Sequence, residues 1–543
     1  MDPASLALGC APSPVAASLT LGIDLTYRYG NKLVILCRQY KNIDADLAET
    51  ALTIQASWLK MDIQLRSLRA LCDKLEYPLL VLYHDALTQL EAKLARASES
   101  FQVIQAKAGV ALSVQQRVKA VYLKRELART VEDFEDWQRR FDPSWYLITR
   151  IANPDVDAQL RNVRPSQHVP ASSSSPSPTM RLARMRESIK HISSQGSEQS
   201  GSVFKDPALL SDDMVIVEGT GAYLSRYKNG TAGCNTTRRV LLDPANLLGH
   251  HQISAAAAKQ NIRDLARLLQ NIDPLTFHLL RCEGVIELPT PQGNQFHLLL
   301  EIPECLQKST PRTLRSFLSQ TPKGQKISLT QRIQLSKQLA RSVMFVHAAG
   351  FVHKNIRPDT ILAFHDQEKA ASPGPSFLIG FERIRRAEGR TDMFGDLNWA
   401  KNLYRHPLRQ GLQPEEIFEM RHDIYSLGVC LLEIALWQSF VRLDDEGKPT
   451  PWSGLVISTA LADKDQRRGA FGIKDRLVEL SKDALPALVG ERYAAVVLAC
   501  LCCLDESEDN AFREERSLQD SDGIVVGVRY IENVLLKLEE LVI

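Results

Sequence analysis

The sequence lacks the features that most readily name a function. Lys+Arg number 66 against Asp+Glu 64 in 543 residues, so no global field favours nucleic acid. Any contact with a membrane or other polyanion must come from a local patch. Ten cysteines run from Cys10 to Cys503 without the paired spacing of a zinc site. Cys500, Cys502 and Cys503 fall in an apolar helical run, which predicts reduced, buried thiols and no metal. No stretch reaches the about 18 uninterrupted apolar residues of a membrane span, the run from Tyr493 to Leu504 coming nearest. The start has no basic n-region, and Val15 to Leu25 follows Pro12 and Pro14 and contains Asp24, so neither a signal peptide nor a span is expected there. These absences predict a cytoplasmic protein with no nucleic-acid partner.

What is there is enough for more than one core. At 543 residues, 44% hydrophobic and 24% charged, the chain exceeds the size at which a single core stops growing. From about 15 to 150 apolar residues recur at alternating spacings of four and three. One seam is Leu47, Ala51, Ile54, Trp58, Met61, Leu65 and Leu68, and a second is Tyr83, Leu87, Leu90, Leu94, Ala97, Phe101 and Ile104. A third is Ala120, Leu123, Leu127, Thr130, Phe134, Trp137 and Phe141. Such seams predict an antiparallel helical bundle over residues 1–165.

Residues 166–205 shift to Ser, Pro, Gln and Gly and read as a linker. Within it Leu182, Met185, Ile189 and Ile192 share a helical face among Arg181, Arg184, Arg186 and Lys190. That pattern fits a basic membrane-surface helix or a brace packed on a domain. From 206 the pattern becomes strand-like at Met214–Val217, Arg239–Leu242, Gly284–Leu288 and Phe296–Leu300, with a helix around Ile253–Leu269. From Leu329 onward it is helical, opening with a capping box at Ser328 to Gln331 and closing at Gly350, within a large lobe of about 306–543. The predicted fold class is an all-α bundle followed by an α+β bilobal domain over 206–543, with a small lobe to about 305.

Four motifs stand in this second part. Phe351-Val-His-Lys-Asn-Ile-Arg-Pro-Asp-Thr-Ile-Leu362 resembles the protein-kinase catalytic loop and the strand after it. Phe377-Leu-Ile-Gly-Phe-Glu382 stands where a kinase has its metal-binding segment, Tyr404-Arg-His-Pro407 resembles the end of an activation segment, and His422 to Gly428 resembles the buried helix that anchors the catalytic loop through an aspartate, here Asp423.

The resemblance implies a kinase fold and, at the same positions, lost chemistry. Phosphoryl transfer relies on positioning and charge neutralisation by specific groups. His353 is kept, but the catalytic aspartate is Asn355, the loop lysine is Arg357 and the metal-binding asparagine is Thr360. The metal-binding aspartate is Gly380, followed by a kept Phe381 and then Glu382. The strand Arg239 to Asp243 has no lysine to hold phosphate, and no glutamate lies between Glu218 and Glu283 to pair with one. Of the glycine-rich loop, Gly219-Thr-Gly221 remains and the third glycine is Leu224, a pattern that a β-turn also satisfies. No intact catalytic set, no metal site and no obligatory cofactor are therefore expected, with ATP bound, if at all, without magnesium.

The first part carries a resemblance too. Leu21-Gly-Ile-Asp-Leu25, Tyr27-Arg-Tyr-Gly30 and Phe141 to Ile148 look like the HeLo-type, prion-inhibition and propagation domains of fungal cell-death proteins. With a pseudokinase behind it, the arrangement resembles the mixed-lineage-kinase-like executors of necroptosis. The resemblance implies a self-associating bundle that acts on anionic membrane lipids when an upstream signalling protein releases it, and the uncharged stretch Pro3 to Ile23 is a candidate insertion element. Two other classes remain: an atypical ATP-dependent kinase and a non-enzymatic scaffold.

Overall fold

A computed structural model describes residues 14–40, 45–75, 77–106, 128–134, 203–211, 213–228, 237–245, 255–290, 293–320, 327–365, 373–381, 385–386, 397–412, 414–508, 510–513 and 524–541. The basic segment 181–192, Glu382, the Phe141 to Ile148 motif and most of the third seam lie outside these residues. The chain divides into two compact units, 1–183 and 184–543.

The first unit is helical. Helices α1 (Pro14–Tyr40), α2 (Ala45–Leu71) and α3 (Tyr77–Ala106) are followed by helical residues 128–134. The seams face inward as their spacing requires: Ile54, Trp58, Met61, Leu65 and Leu68 of α2 and Tyr83, Leu87, Leu90, Leu94 and Ala97 of α3 are buried. Tyr27, from one of the quoted motifs, sets its ring edge-on to Trp58 at 6.2 Å and donates its hydroxyl to the Asp62 carbonyl at 2.9 Å. Trp58 in turn packs on Phe134 and donates Nε1–H to Asn31 Oδ1 at 3.0 Å. From Pro14 the uncharged stretch is part of α1, where Ala16, Leu19 and Ile23 are buried in the bundle. Inserting it into a bilayer therefore means withdrawing a core face, at about 1.5–3 kcal/mol for each large side chain. Among the described residues no helix is long and apolar enough to cross a membrane.

The second unit is α+β. A five-stranded antiparallel sheet runs in the order β1 (Val215–Ile216), β2 (Tyr223–Lys228), β3 (Thr237–Pro244), β5 (Gly293–Glu301), β4 (Arg281–Thr290). Helix α4 (Ala255–Gln270) packs against β4. The predicted strand at 214–217 shrinks to two residues with exposed side chains, because Val217 already turns to bond Ala222. Val203–Lys205, counted with the linker by composition, belong to the sheet, since they exchange backbone hydrogen bonds with Val285 on the outer edge of β4. Edge pairing of this kind uses the main chain and leaves no side-chain pattern to read.

The remaining half is mainly helical. Helix α5 (Leu329–Ala348) opens with the capping box expected of it: Ser328 Oγ accepts from Gln331 N and Gln331 Oε1 from Ser328 N. Short strands β6 (Thr310–Thr313), β8 (Ile361–His365) and β9 (Ser376–Leu378) form one sheet, and β7 (Phe351–Val352) pairs with Arg385–Arg386. Helix α6 (Met420–Leu436) is buried almost throughout, its polar Asp423 and Glu433 included, with α7 (Gln466–Val489) and α8 (Glu491–Leu501) packed about it. The described cysteines are free, and Cys72, Cys282, Cys430, Cys500 and Cys503 are buried.

Candidate functional site

The site is built around α6. Asp423, in its first turn, is fully buried, and its carboxylate accepts the amides of His353 at 2.7 Å and Lys354 at 2.9 Å. His347 Nε2 lies 3.2 Å from the same group. Burial works to raise this carboxyl, yet His347 and His353 together hold it below the ordinary value. Lys354 adopts φ +65°, in the left-handed region, where the two bonds to Asp423 keep it.

His353 packs inside the unit. Its Nε2 lies 3.1 Å from the Ile379 carbonyl, its ring packs on Phe381 at 5.1 Å, and burial pushes its pKa down to about 4. Asn355, in the place of the catalytic aspartate, uses Nδ2 to bond the Gly380 carbonyl at 3.3 Å, so the two altered motifs hold each other. Thr360 turns its hydroxyl back on the loop, donating toward the carbonyls of Asn355 at 2.8 Å and Arg357 at 3.0 Å. Arg357 lies 3.4 Å from Asp359, and Asp359 is gripped by Arg315 at 2.6 and 2.9 Å.

The residue that the motifs did not point to is Asp243. Along β3, Val240 and Leu242 belong to a core cluster on one face, so Leu241 and Asp243 project from the other. Asp243, only 2% exposed, accepts the amides of Gly380 at 2.9 Å and Phe381 at 3.2 Å. The strand that by resemblance should offer phosphate a lysine thus offers a carboxylate, already bound to the segment that should carry the metal ligand. On α4 the buried acid is Asp264, bonded by Gln260 Nε2 at 2.8 Å. The one signal that could have found it is a lone acid closing an apolar strand, directly before Pro244.

These residues do not fit a magnesium–nucleotide complex. Asp243 places negative charge in a low-dielectric site where phosphate oxygens would come, and Gly380 brings no ligand. Among the described residues no group of three or more His, Cys, Asp or Glu could hold a metal ion. The residual Gly-x-Gly forms a compact turn in which Val217 N bonds Ala222 O at 2.9 Å. A methyl group on Gly219 would meet Thr313 Oγ1 at 3.6 Å, so the turn lies near the end of β6.

Gly380 leaves no room for a side chain. It has φ +83°, and a Cβ there would lie 2.5 Å from Thr360 Cγ2 and 3.0 Å from Thr360 Cβ. Gly380→Asp is expected to cost about 2–4 kcal/mol from overpacking and backbone strain and to yield no magnesium-dependent phosphate transfer. Denaturant unfolding with a parallel transfer assay checks both, and an unchanged midpoint would show that the Thr360 contact is not rigid.

No protein-family model matches the chain. Over 106 residues it is 32% identical to a serine/threonine-protein kinase-like protein of Arabidopsis thaliana, an alignment covering 19% of this chain and 27% of that protein. The shared part is thus about a quarter of that relative's length, and the chain is kinase-like to that extent.

Proposed function

We propose that the second unit is a pseudokinase that regulates the helical unit of a signalling or cell-death effector, rather than a phosphotransferase. The observation that carries this reading is the Asp243 carboxylate bonded to the amides of Gly380 and Phe381. It puts an anion where phosphate transfer needs a cation, and it satisfies donors that would otherwise be open to a ligand. The cell-death part rests on the resemblance of the first unit to HeLo-type bundles. A scaffold role is the second reading, favoured by the burial of Ala16, Leu19 and Ile23 in α1.

The full chain, incubated with ATP and magnesium or manganese, is expected to transfer no phosphate and to show no metal-dependent gain in melting temperature. Transfer that disappears on substituting Asp359 or Glu382 would overturn the pseudokinase reading. Dye leakage from anionic vesicles tests the effector: residues 1–165 are expected to cause leakage, and the full chain little. Inertness of both leaves the scaffold.

A further inference from the structure

The chain enters the kinase-like unit through Val203-Phe-Lys-Asp-Pro-Ala-Leu-Leu-Ser211, and this stretch crosses the sheet. At one end Lys205 N bonds Val285 O and Val285 N bonds Val203 O, each at 2.8 Å, along the outer edge of β4. At the other end Ser211 N bonds Arg226 O at 2.8 Å, and Ser225 Oγ donates to Ser211 O at 3.2 Å, on β2. Between them a single 3-10 turn, Pro207–Leu209, is capped by Asp206, whose side chain accepts from Ala208 N at 2.9 Å. β4 and β2 are separated by β5 and β3, so the segment is a strap over the middle strands. Leu209 and Leu210 pack on the cluster of Tyr227, Val240, Leu242, Ile286 and Leu299.

Two further contacts tie the strap to β5, α4 and β3. Phe204 packs on Phe296 with ring centroids 6.1 Å apart, and Lys259 Nζ of α4 sits 4.7 Å over its ring. Val240 and Leu242, under the strap, alternate on β3 with Asp243, which faces the opposite way and holds Gly380 and Phe381. Gly284 makes the close approach possible. A Cβ there would lie 2.5 Å from the Val203 carbonyl oxygen and 2.7 Å from Lys205 Cγ, at a bulge between Cys282 and Gly284.

We propose that residues 203–211 are the input strap of the kinase-like unit: seated, they hold β3 and α4 so that Asp243 latches Gly380 and Phe381, and displacement of the preceding chain loosens that latch. The coupling runs through one strand, with strap and latch on its two faces, and does not depend on phosphate transfer or on the cell-death reading.

Amide hydrogen exchange on the full chain, comparing the natural sequence with Gly284→Val, tests it. The valine drives the strap off β4, so the Lys205 and Val285 amides lose protection directly. The proposal requires the Gly380 and Phe381 amides to exchange at least about tenfold faster as well, a loss of about 1.4 kcal/mol of local protection. The His353 and Lys354 amides, held by Asp423, should keep their rates. Unchanged Gly380 and Phe381 would make the strap mere cladding and overturn the proposal, and so would equal acceleration of all six amides, which reports global unfolding. If Gly284→Val does not fold, Gly284→Ala, whose single methyl would lie 2.5 Å from the Val203 carbonyl oxygen, is read by the same amides and the same outcomes.

Discussion

Replacing Asp423 with alanine is expected to destabilise the kinase-like unit by about 3–5 kcal/mol, because it removes a fully buried charge and leaves its donors unpaired. Three groups converge on that carboxylate: the amides of His353 and Lys354 and the ring of His347. The backbone of Lys354 adds to the loss, since its φ of +65° persists only while both amides are held. Asp423→Asn should cost less, as one oxygen remains to accept. Urea or guanidinium unfolding of the full chain, followed by a signal from the second unit, measures the difference. An alanine variant with an unchanged midpoint would mean that α6 does not anchor the loop as described.

Acidification is the second large effect. Burial pushes His278 and His353 down to about 4 and His406 down to about 3, from an ordinary value of 6.5. Below pH 6.5 the unfolded chain takes up protons that the folded chain refuses, so stability falls as pH drops from 6.5 toward 4. At pH 5 each histidine accounts for about 2 kcal/mol, from the 1.36 kcal/mol that accompanies a tenfold change in proton affinity. Glu433 works the other way. It is buried with Arg315 and Tyr404 about it, and burial raises its carboxyl to about 7 from an ordinary 4.5.

Its contribution is complete below pH 4.5 and is lost as pH rises to 7, so between 7 and 5 it returns about 3 kcal/mol. The net expectation is a loss of roughly 3 kcal/mol between pH 7 and 5, steepening below 4.5 where Glu433 no longer compensates. Below about 3.8 Asp423 adds to the fall, since its folded pKa is depressed. Stability measured by denaturant at pH 7, 5 and 4 checks this. A midpoint that stays level or rises from 7 to 5 would show that the buried histidines are solvated or paired with acids.

Much of the fold could be read without coordinates because it rests on local periodicity. The seams at Ile54 to Leu68 and Tyr83 to Ala97 are buried where spacing put them, since a helix cannot bury such a stripe except inward. The capping box at Ser328 is decided within one turn. The kinase resemblance likewise needed only motif order. That Asn355, Thr360 and Gly380 differ from the residues a kinase carries in those motifs needed only residue identity.

What replaced those groups was not legible. Nothing in the residues from 239 to 243 says that Asp243 will find the amides of Gly380 and Phe381, 137 and 138 positions away. Nor does the Ser/Gly-rich approach to Val203 announce a strap, since its partner is the main chain of Val285 and its room comes from Gly284. The sequence by itself determined two kinds of core, a helical seam and a kinase-like α+β unit, because periodicity and residue identity act over one to four positions. Only the tertiary structure decided that Asp243 holds the Gly380 and Phe381 amides and that residues 203–211 lie across the other face of the sheet. Backbone hydrogen bonds between distant segments carry no residue signature, and their partners are chosen by how the strands pack.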